Sequence, residues 1–427
     1  MKIIPSNVPI IGTITVPGDK SISHRAIMLS SMAQGVSTIY GLLEGHDVMC
    51  TIEAMKKLGA DIYKDNKHWV VRGGILKEPD EVLDMGNSGT SARLISGILS
   101  SLPFYSVITG DASLRKRSMN RLMKVLEPIG AKFWSRNSFL PLSILGNRSE
   151  DDIETLLTTP SAQLKSALLL AGINRPSTTL IETVHTRDHT ENMMEYFGMD
   201  IEIVEGPERI ITLRGNKPFE ARNLTVPSDP SSAAFIIGLA LLIKGSDITI
   251  PNVCMNKHRN GFMDTIKEMG GRIESVNPRI ECGEQVADIR VQYSDLKAVT
   301  VPADRIPSMI DELPILSVIA SLADGETKII GAGELRAKES DRFAAIINIL
   351  TDNGIKVSSD GDDIMITGNK VITGGGLIET KMDHRIAMSG IVLGLLSSKG
   401  VEIDDVSFIQ TSFPGFFTIL NQMSLLP

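Results

Sequence analysis

The chain has few cysteines, few aromatic residues and no long apolar run. Cysteine occurs three times in 427 residues, and aromatic residues make up 4%. So sparse and odd a set of cysteines favours reduced thiols over a disulfide framework, and so few aromatic rings leave few stacking platforms for bases. The longest apolar run, residues 233–243, falls short of the ~18 residues that suggest a membrane span. With no basic-then-apolar leader, the chain is expected to be cytoplasmic and not bound to a membrane.

Charge and histidine spacing argue against two further classes of site. The formal net charge of −8 argues against nucleic-acid binding, which usually needs a broad basic surface. Any anion site must therefore be a local cluster of lysine and arginine. His185 and His189 have an i, i+4 spacing, but no further ligand pattern accompanies them. We therefore expect no metal site.

A sixfold repeat organises the chain, whose length already predicts at least two domains. At intervals of about 70 residues, a small or polar residue opens an apolar helix pattern. A short β-type run follows most of these helices, then a more amphipathic helix often closed by glycine, then alternating strands. Each repeat therefore predicts the order βαβαββ. The six openings are Ser21, Ser88, Ser161, Ser231, Asp311 and Asp383.

The repeats predict two similar α/β domains of three units each. Helices that are apolar almost all round should be buried, and the amphipathic helices should cover an outer sheet. The stretches TVPGDKSIS at 15–23 and TVPSDPSSA at 225–233 match each other, which predicts a pair of crossings between domains. One domain is thus expected to comprise residues 1–18 plus 229–427, and the other residues 19–228.

Charged and polar residues gather at the helix starts. The segment VPGDKSISHRA at 16–26 is not a P-loop, because Asp19 separates Gly18 from Lys20. Helix N-termini offer exposed N–H groups, and arginine forks suit phosphate and carboxylate, so small, multiply charged anions are expected there. The residues are Lys20, Ser21, Arg25, Asn87, Ser88, Gly89, Thr90, Arg93, Arg115, Lys116, Arg117, Ser161, Gln163, Lys165, Arg187, Asp311, Glu312, Lys338, Glu339, Arg342, His384 and Arg385.

Taken singly, each of these clusters has a simpler interpretation. Residues 86–90 could be only a turn and a helix cap, and residues 115–117 could be a solvated run of charge. Residues 311–314 could acidify a helix N-terminus, and residues 338–342 could form an exposed salt-bridged turn. Their recurrence at one register of the repeat favours a shared function.

Seven motifs resemble the 5-enolpyruvylshikimate-3-phosphate (EPSP) synthase family, in order and across nearly the whole chain. They are PGDKSISHRA, LDMGNSGTSARL, GDASLRKRSM, PSAQLKSALLLAG, MIDELPIL, ELRAKESDR and MDHRIAM. The resemblance implies an inside-out α/β barrel of two domains, with three βαβαββ repeats in each. It also implies a monomeric enolpyruvyl transferase of aromatic amino-acid (chorismate) biosynthesis, the target of glyphosate.

The resemblance implies two anionic substrates. Shikimate 3-phosphate would be held by Lys20, Ser21, Arg25, Ser161, Gln163, Arg187, Asp311 and Lys338. Phosphoenolpyruvate would be held by Lys20, Gly89, Arg117, Gln163, Arg342 and Arg385. The sequence departs from the family at one point, because part of the family has a lysine shortly before the final Phe-Pro, where this chain has Thr411. Either the remaining arginines suffice, or binding of the second substrate is altered.

The implied reaction adds the 5-hydroxyl of shikimate 3-phosphate to C2 of phosphoenolpyruvate and a proton to C3. The tetrahedral adduct then expels phosphate from C2 and returns a proton from C3, which restores the double bond. Such a reaction needs a general base and a general acid. We expect Asp311 to orient or deprotonate the hydroxyl, and Glu339, with Lys20, to transfer the proton at C3. Like charges ~4 Å apart repel by about 4 kcal/mol at an effective dielectric near 20. The two anionic substrates therefore need the cluster of lysine and arginine to bind side by side before any chemistry starts. No metal or organic cofactor is called for.

Two alternatives remain from different classes. UDP-N-acetylglucosamine enolpyruvyl transferase shares the fold and the donor, but that family typically has KNA where this chain has KSIS, and a reactive cysteine near residues 111–120, where this chain has none. A non-catalytic binding clamp could also be built from six α/β repeats, but it predicts no cluster of charged residues at helix starts.

Overall fold

The fold is a mixture of helices and short strands, described for residues 1–426 by a computed structural model. The helices are α1 (Lys20–Met32), α2 (His46–Lys57), α3 (Gly89–Ser100), α4 (Asn120–Leu126), α5 (Ala162–Gly172), α6 (His189–Tyr196), α7 (Pro230–Leu242), α8 (Gly261–Glu268), α9 (Leu313–Ala320), α10 (Arg342–Asp352), α11 (His384–Leu396) and α12 (Phe416–Gln422).

The strands are β1 (Lys2–Ile3), β2 (Ile11–Thr13), β3 (Gly35–Tyr40), β4 (Asp61–Asp65), β5 (His68–Gly73), β6 (Leu83–Asp84), β7 (Tyr105–Thr109), β8 (Lys132–Arg136), β9 (Phe139–Leu145), β10 (Ile153–Leu157), β11 (Thr178–Glu182), β12 (Asp200–Val204), β13 (Arg209–Arg214), β14 (Leu224–Thr225), β15 (Asp247–Cys254), β16 (Arg272–Glu281), β17 (Glu284–Gln292), β18 (Thr300–Val301), β19 (Glu326–Ile329), β20 (Lys356–Asp360), β21 (Asp363–Thr367), β22 (Leu377–Ile378) and β23 (Val401–Ile403).

The chain divides into two compact units. Unit 1 comprises Met1–Pro17, Ser228–Arg279 and Gln285–Pro427, and unit 2 comprises Gly18–Pro227 and Ile280–Glu284. Each unit is therefore assembled from separate stretches of the chain.

A four-stranded sheet recurs through both units. In unit 2, β6 pairs in parallel with β7, and the antiparallel hairpin of β8 and β9 completes the order β6-β7-β9-β8. The sheets β10-β11-β13-β12 and β18-β19-β21-β20 repeat that order. With the helices between their strands, these segments have the βαβαββ sequence, and the predicted fold class is confirmed.

Two sheets take their first strand from a distant part of the chain. In unit 2, β14 pairs in parallel with β3, and in unit 1, β2 pairs in parallel with β15. Most of unit 2 lies between β3 and β14 in the sequence, and the whole stretch Gly18–Pro227 lies between β2 and β15, so each pairing joins parts of one unit that are far apart in the chain.

The sixth sheet is built differently. It has three strands in the order β1-β23-β22, with β1 antiparallel and β22 parallel to β23. Lys2 lies opposite Glu402, so the beginning of the chain supplies a strand beside the last repeat. The next α-helix after β23 is α12, and no strand hairpin follows β23 within residues 1–426.

The first helix of each repeat is buried, as its all-round apolar pattern predicts. Of α7, every residue from Pro230 to Leu241 is buried, and α11 is buried from His384 to Leu395. Close helix contact explains one glycine: a Cβ on Gly97 of α3 would lie 2.2 Å from the carbonyl oxygen of Ala167 on α5. Within residues 1–426, no helix combines the length and apolar character that crossing a membrane would require.

Candidate active site

Polar side chains begin the buried helices of unit 2. Asp19, Ser88 and Ser161 precede α1, α3 and α5, and the side-chain oxygen of each accepts a backbone N–H from three residues on, at 2.8, 3.0 and 3.4 Å. Such caps fix where a helix starts. The predicted site residues Lys20 and Gly89 are consequently the first residues of their helices.

Lys20 is held by an acid that the sequence reasoning did not single out. Its Nζ lies 2.5 Å from Oδ2 of Asp47, the second residue of α2, and both side chains are largely buried, at 17% and 8% exposure. An acidic residue in the first turn of a helix is a common and unspecific signal. The amphipathic helix pattern predicted α2 without indicating which of its residues would reach Lys20.

Arg25 is buried, and three hydrogen bonds within unit 2 fix its guanidinium. Its Nε donates to Thr190 Oγ1 and its Nη2 to Ser166 Oγ, both at 2.6 Å, and its Nη1 donates to the Ser21 carbonyl at 2.9 Å. The pKa of Arg25 is lowered to about 10, mainly by burial. Nearby acids oppose this shift, and the charge of Arg187 contributes to it. The structure thus brings Ser21 and Arg25 into contact and places the charge of Arg187 close enough to act on Arg25.

A second region of unit 2 brings together Gly89, Arg117 and Gln163. A Cβ on Gly89 would lie 3.4 Å from Nη1 of Arg117, so the guanidinium lies beside the start of α3. Arg117 Nη2 donates to Asn87 Oδ1 at 2.8 Å. The side chain of Gln163, on α5, donates to Thr90 Oγ1 at 3.1 Å. The starts of α3 and α5 therefore present a guanidinium, an amide and backbone N–H groups together.

In unit 1, Arg342 is the centre of the predicted residues. It is fully buried, and its guanidinium lies 2.8 Å from Asp383, 2.6 Å from Glu339 and 3.2 Å from Asp311. Burial opposes the charged form, but the three carboxylates outweigh it and raise the pKa of Arg342 above its ordinary value. The sequence identified Asp383 only as a helix start, and missed it as a partner of Arg342.

Arg385 and Lys338 lie beside this centre. Arg385 Nη1 donates to the Asp311 carbonyl at 3.3 Å, and its Nε lies 3.8 Å from the Asp311 carboxylate. Lys338 is half-buried at the end of a 3-10 turn, Gly333–Ala337, and directly precedes Glu339. Unit 1 thus brings together Asp311, Glu339, Arg342 and Arg385, with Lys338 adjacent in sequence.

Thr411 and the two spaced histidines have local partners. The Thr411 hydroxyl donates to the Phe408 carbonyl at 2.7 Å, within its own 3-10 turn. In unit 2, Nε2 of His185 lies 3.2 Å from the Gly206 carbonyl, whereas Nδ1 of His189 lies 2.7 Å from Glu284. The two histidines therefore have different partners despite their spacing.

These groups suit chemistry on small anions. Arginine forks, a lysine and helix N-termini bind phosphate and carboxylate, and carboxylates such as Asp311 and Glu339 can carry protons. The assignment of individual residues to individual substrates stays a prediction.

Comparison with known proteins identifies the family. The family described as EPSP synthase (3-phosphoshikimate 1-carboxyvinyltransferase) matches residues 5–420. A 3-phosphoshikimate 1-carboxyvinyltransferase of Gluconobacter oxydans is 49% identical over 96% of this chain and 95% of its own length. One of Acidiphilium cryptum is 50% identical over 97% and 94%.

Solved structures agree in fold. An EPSP synthase of Acinetobacter baumannii superposes with a TM-score of 0.89 at 41% identity, covering 100% of this chain and 98% of that one. An enolpyruvyl transferase of Streptomyces tendae has a TM-score of 0.79 at 16% identity over 99% and 96%, which shows a shared fold alone. On the family match and the sequence identities, the chain belongs to the EPSP synthase (3-phosphoshikimate 1-carboxyvinyltransferase) family.

Proposed function

We propose that the protein transfers the enolpyruvyl group of phosphoenolpyruvate to the 5-hydroxyl of shikimate 3-phosphate. The products are 5-enolpyruvylshikimate 3-phosphate and phosphate, in the biosynthesis of chorismate and the aromatic amino acids. The family match over residues 5–420 supports this function most strongly. The names of relatives about half identical in sequence support the same reaction.

In unit 2, we assign the cationic groups to substrate binding. Arg25, with Ser21 and Arg187, would bind shikimate 3-phosphate, and the hydrogen bonds that fix its guanidinium support a preorganised anion site. Arg117 and the backbone of Gly89 would bind phosphoenolpyruvate. Lys20, Ser161 and Gln163 complete the predicted contacts of this unit, with Lys20 also a proton carrier.

In unit 1, we assign the two half-buried carboxylates to proton transfer. Asp311 would orient or deprotonate the 5-hydroxyl, and Glu339 would move the proton at C3. Arg342, which contacts both carboxylates, would hold them in place, and with Arg385 it would neutralise phosphoenolpyruvate. Lys338 would bind shikimate 3-phosphate.

The proposal also covers the state of the protein. We propose that the two compact units are folding domains, with the boundaries predicted at residues 18 and 229, and that the protein is a monomer. The sparse and odd set of three cysteines in the sequence supports a reducing compartment such as the cytoplasm.

Phosphate release tests the proposed reaction. Purified protein should release phosphate only when both shikimate 3-phosphate and phosphoenolpyruvate are present, with or without a metal chelator. UDP-N-acetylglucosamine in place of shikimate 3-phosphate should give no release. Release with UDP-N-acetylglucosamine, or none with shikimate 3-phosphate, would contradict the proposal.

Two matched variants test the assigned acids. Asp311→Asn and Glu339→Gln should each lower kcat by about 10²–10⁴-fold, the usual contribution of a general acid or base. Asp304→Asn changes an exposed aspartate nearby in sequence and should leave kcat unaltered. If Asp311→Asn behaved like Asp304→Asn, the role given to Asp311 would be wrong.

A further inference from the structure

A continuous chain of buried polar side chains links three helices of unit 2. The Nδ1 of His24 on α1 lies 2.7 Å from Oγ1 of Thr51 on α2, which lies 2.6 Å from Oγ of Ser91 on α3. The Ser91 hydroxyl in turn donates to Oγ of Ser88, the cap of α3, at 2.6 Å. All four side chains are 0% exposed. Burying so many polar groups is costly unless they hydrogen-bond to one another. These hydrogen bonds therefore fix the positions of the four side chains relative to one another.

This series of hydrogen-bonded side chains adjoins two residues that we assign to the site, Lys20 and Gly89. On α1, Lys20 precedes His24 by four residues, and on α2, Asp47 precedes Thr51 by four residues. Residues with this spacing lie on the same face of a helix. The Lys20–Asp47 ion pair and the His24–Thr51 hydrogen bond therefore join α1 to α2 one turn apart. At the other end, Ser88 is followed directly by Gly89, the first residue of α3.

His24 fits this place as a neutral hydrogen-bond donor. Burial, and then the charges of Lys20 and Arg25, lower its pKa well below the ordinary value, so the ring carries one N–H. Placed on Nδ1, that N–H donates to Thr51, whose hydroxyl donates to Ser91, whose hydroxyl donates to Ser88. Every link then has one donor and one acceptor. Within residues 1–426, Nε2 of His24 is buried without a hydrogen-bond partner, which suits a lone pair better than an N–H.

We propose that His24 is a positioning residue for the donor substrate. Through Thr51 and Ser91 it holds the first turn of α3, and with it the backbone of Gly89, at a fixed place relative to Lys20. The inference rests on the proposed function, because Lys20 and Gly89 are residues that we assign to phosphoenolpyruvate. A neutral hydrogen-bonding ring supports this geometry without adding a third charge between Lys20 and Arg25.

Steady-state kinetics of three variants test the proposal. Thr51→Val breaks the chain with little change of shape and should raise KM for phosphoenolpyruvate and the inhibition constant for glyphosate by about 5–50-fold, the range for a lost buried hydrogen bond. KM for shikimate 3-phosphate should change by less than about threefold, which is less than the effect of losing one buried hydrogen bond. His24→Leu should match Thr51→Val, and His24→Asn, whose amide can replace Nδ1–H, should restore most of the donor affinity.

The double variant and a matched control separate positioning from packing. Combining His24→Leu with Thr51→Val should cost no more than the worse single change, because both break one chain. Ser96→Ala removes a fully buried hydroxyl from the same helix α3, where it donates to the Ala92 carbonyl at 2.6 Å, and should leave both KM values unaltered.

Several results would overturn the inference. Additive losses in the double variant, equal losses for both substrates, or a Thr51→Val enzyme that behaves like Ser96→Ala would each do so. Thr51→Val decides the matter if His24→Leu does not fold, and circular dichroism checks folding. An active wild-type enzyme with unaltered variants refutes the positioning role alone, whereas a wild-type enzyme that releases no phosphate refutes the proposed function and this inference with it.

Discussion

The Nε of Arg342 lies 2.8 Å from Oδ2 of Asp383, and both side chains are 0% exposed. Asp383 also accepts the backbone N–H of Arg385 at 2.9 Å and thereby caps α11. The remaining nitrogens of Arg342 contact Asp311 and Glu339. One buried ion pair therefore fixes a helix start and orients the two acids to which we assign proton transfer.

Removing Arg342 should destabilise unit 1 as well as abolish turnover. Arg342→Ala leaves Asp383 buried without its cation, a change that typically costs about 3–5 kcal/mol. Arg385→Ala removes a side chain whose contacts to Asp311 are longer, at 3.3 and 3.8 Å, and should cost less. Urea unfolding of the two variants measures the difference. A larger loss in Arg385→Ala would contradict the central role of the Arg342–Asp383 pair.

Arg117 should act on one substrate and not on the other. Its guanidinium lies beside Gly89 and donates to Asn87 Oδ1 at 2.8 Å, so Arg117→Ala should weaken use of phosphoenolpyruvate by about 2–5 kcal/mol. Binding of shikimate 3-phosphate should stay nearly unchanged. Arg115→Ala, an exposed neighbour, is the matched control. Equal loss for both substrates in Arg117→Ala would refute its assignment to the donor.

The helix starts of this protein could be predicted because small polar residues mark them locally. Ser88 and Ser161 were predicted as openings and do cap α3 and α5. Asp311 was also predicted as an opening, but α9 begins two residues later at Leu313, with proline in its first turn. Asp311 is therefore not a cap, and its carboxylate contacts Arg342 and Arg385 instead.

Partners that are distant in sequence could not be predicted. Lys20 and Asp47, Arg25 and Thr190, and Arg342 and Asp383 are joined by the packing of whole helices, and periodicity fixes only which face of a helix is buried. Strand β1 has two residues, too few for any alternation, and pairs with a strand at the far end of the chain. These contacts depend on tertiary structure that no local pattern records.

Gly89→Ala should impair glyphosate inhibition without unfolding the protein. The added Cβ would lie 2.6 Å from Nη1 of Arg93, the flexible end of a side chain that can shift. It would also narrow the space before Arg117. We therefore expect the binding free energy of glyphosate to become less favourable by about 1–3 kcal/mol, which raises its inhibition constant, while shikimate 3-phosphate binding is retained. Gly97→Ala, which meets backbone of α5 at 2.2 Å, should instead lower stability without selective loss of inhibition. Unaltered inhibition in Gly89→Ala would place Gly89 outside the donor pocket.

Cys50 should react slowly with alkylating reagents. Burial and the nearby charges of Asp47 and Asp84 raise the pKa of its thiol to about 12, three pH units above its ordinary value of 9.0. The reactive thiolate is then roughly a thousandfold scarcer than in a free cysteine. At pH 8, mass spectrometry should find the folded chain unlabelled by iodoacetamide after the denatured chain has taken up three labels. Rapid labelling of Cys50 in the folded chain would contradict the described environment of its thiol.

The neutral state of His24 should make stability fall in acid. Its folded-state pKa lies well below 6.5, mainly through burial, whereas the unfolded chain binds a proton near pH 6.5. Below that pH the unfolded state therefore holds one more proton at this site, and stability decreases by up to about 1.4 kcal/mol per pH unit. Above pH 6.5 the effect vanishes. His24→Asn cannot titrate, so the stability advantage of the wild type over this variant should shrink by about 1 kcal/mol between pH 7.5 and 5.5. Urea unfolding at both pH values measures this difference, in which the other histidines cancel, and a difference independent of pH would show that His24 is not held neutral.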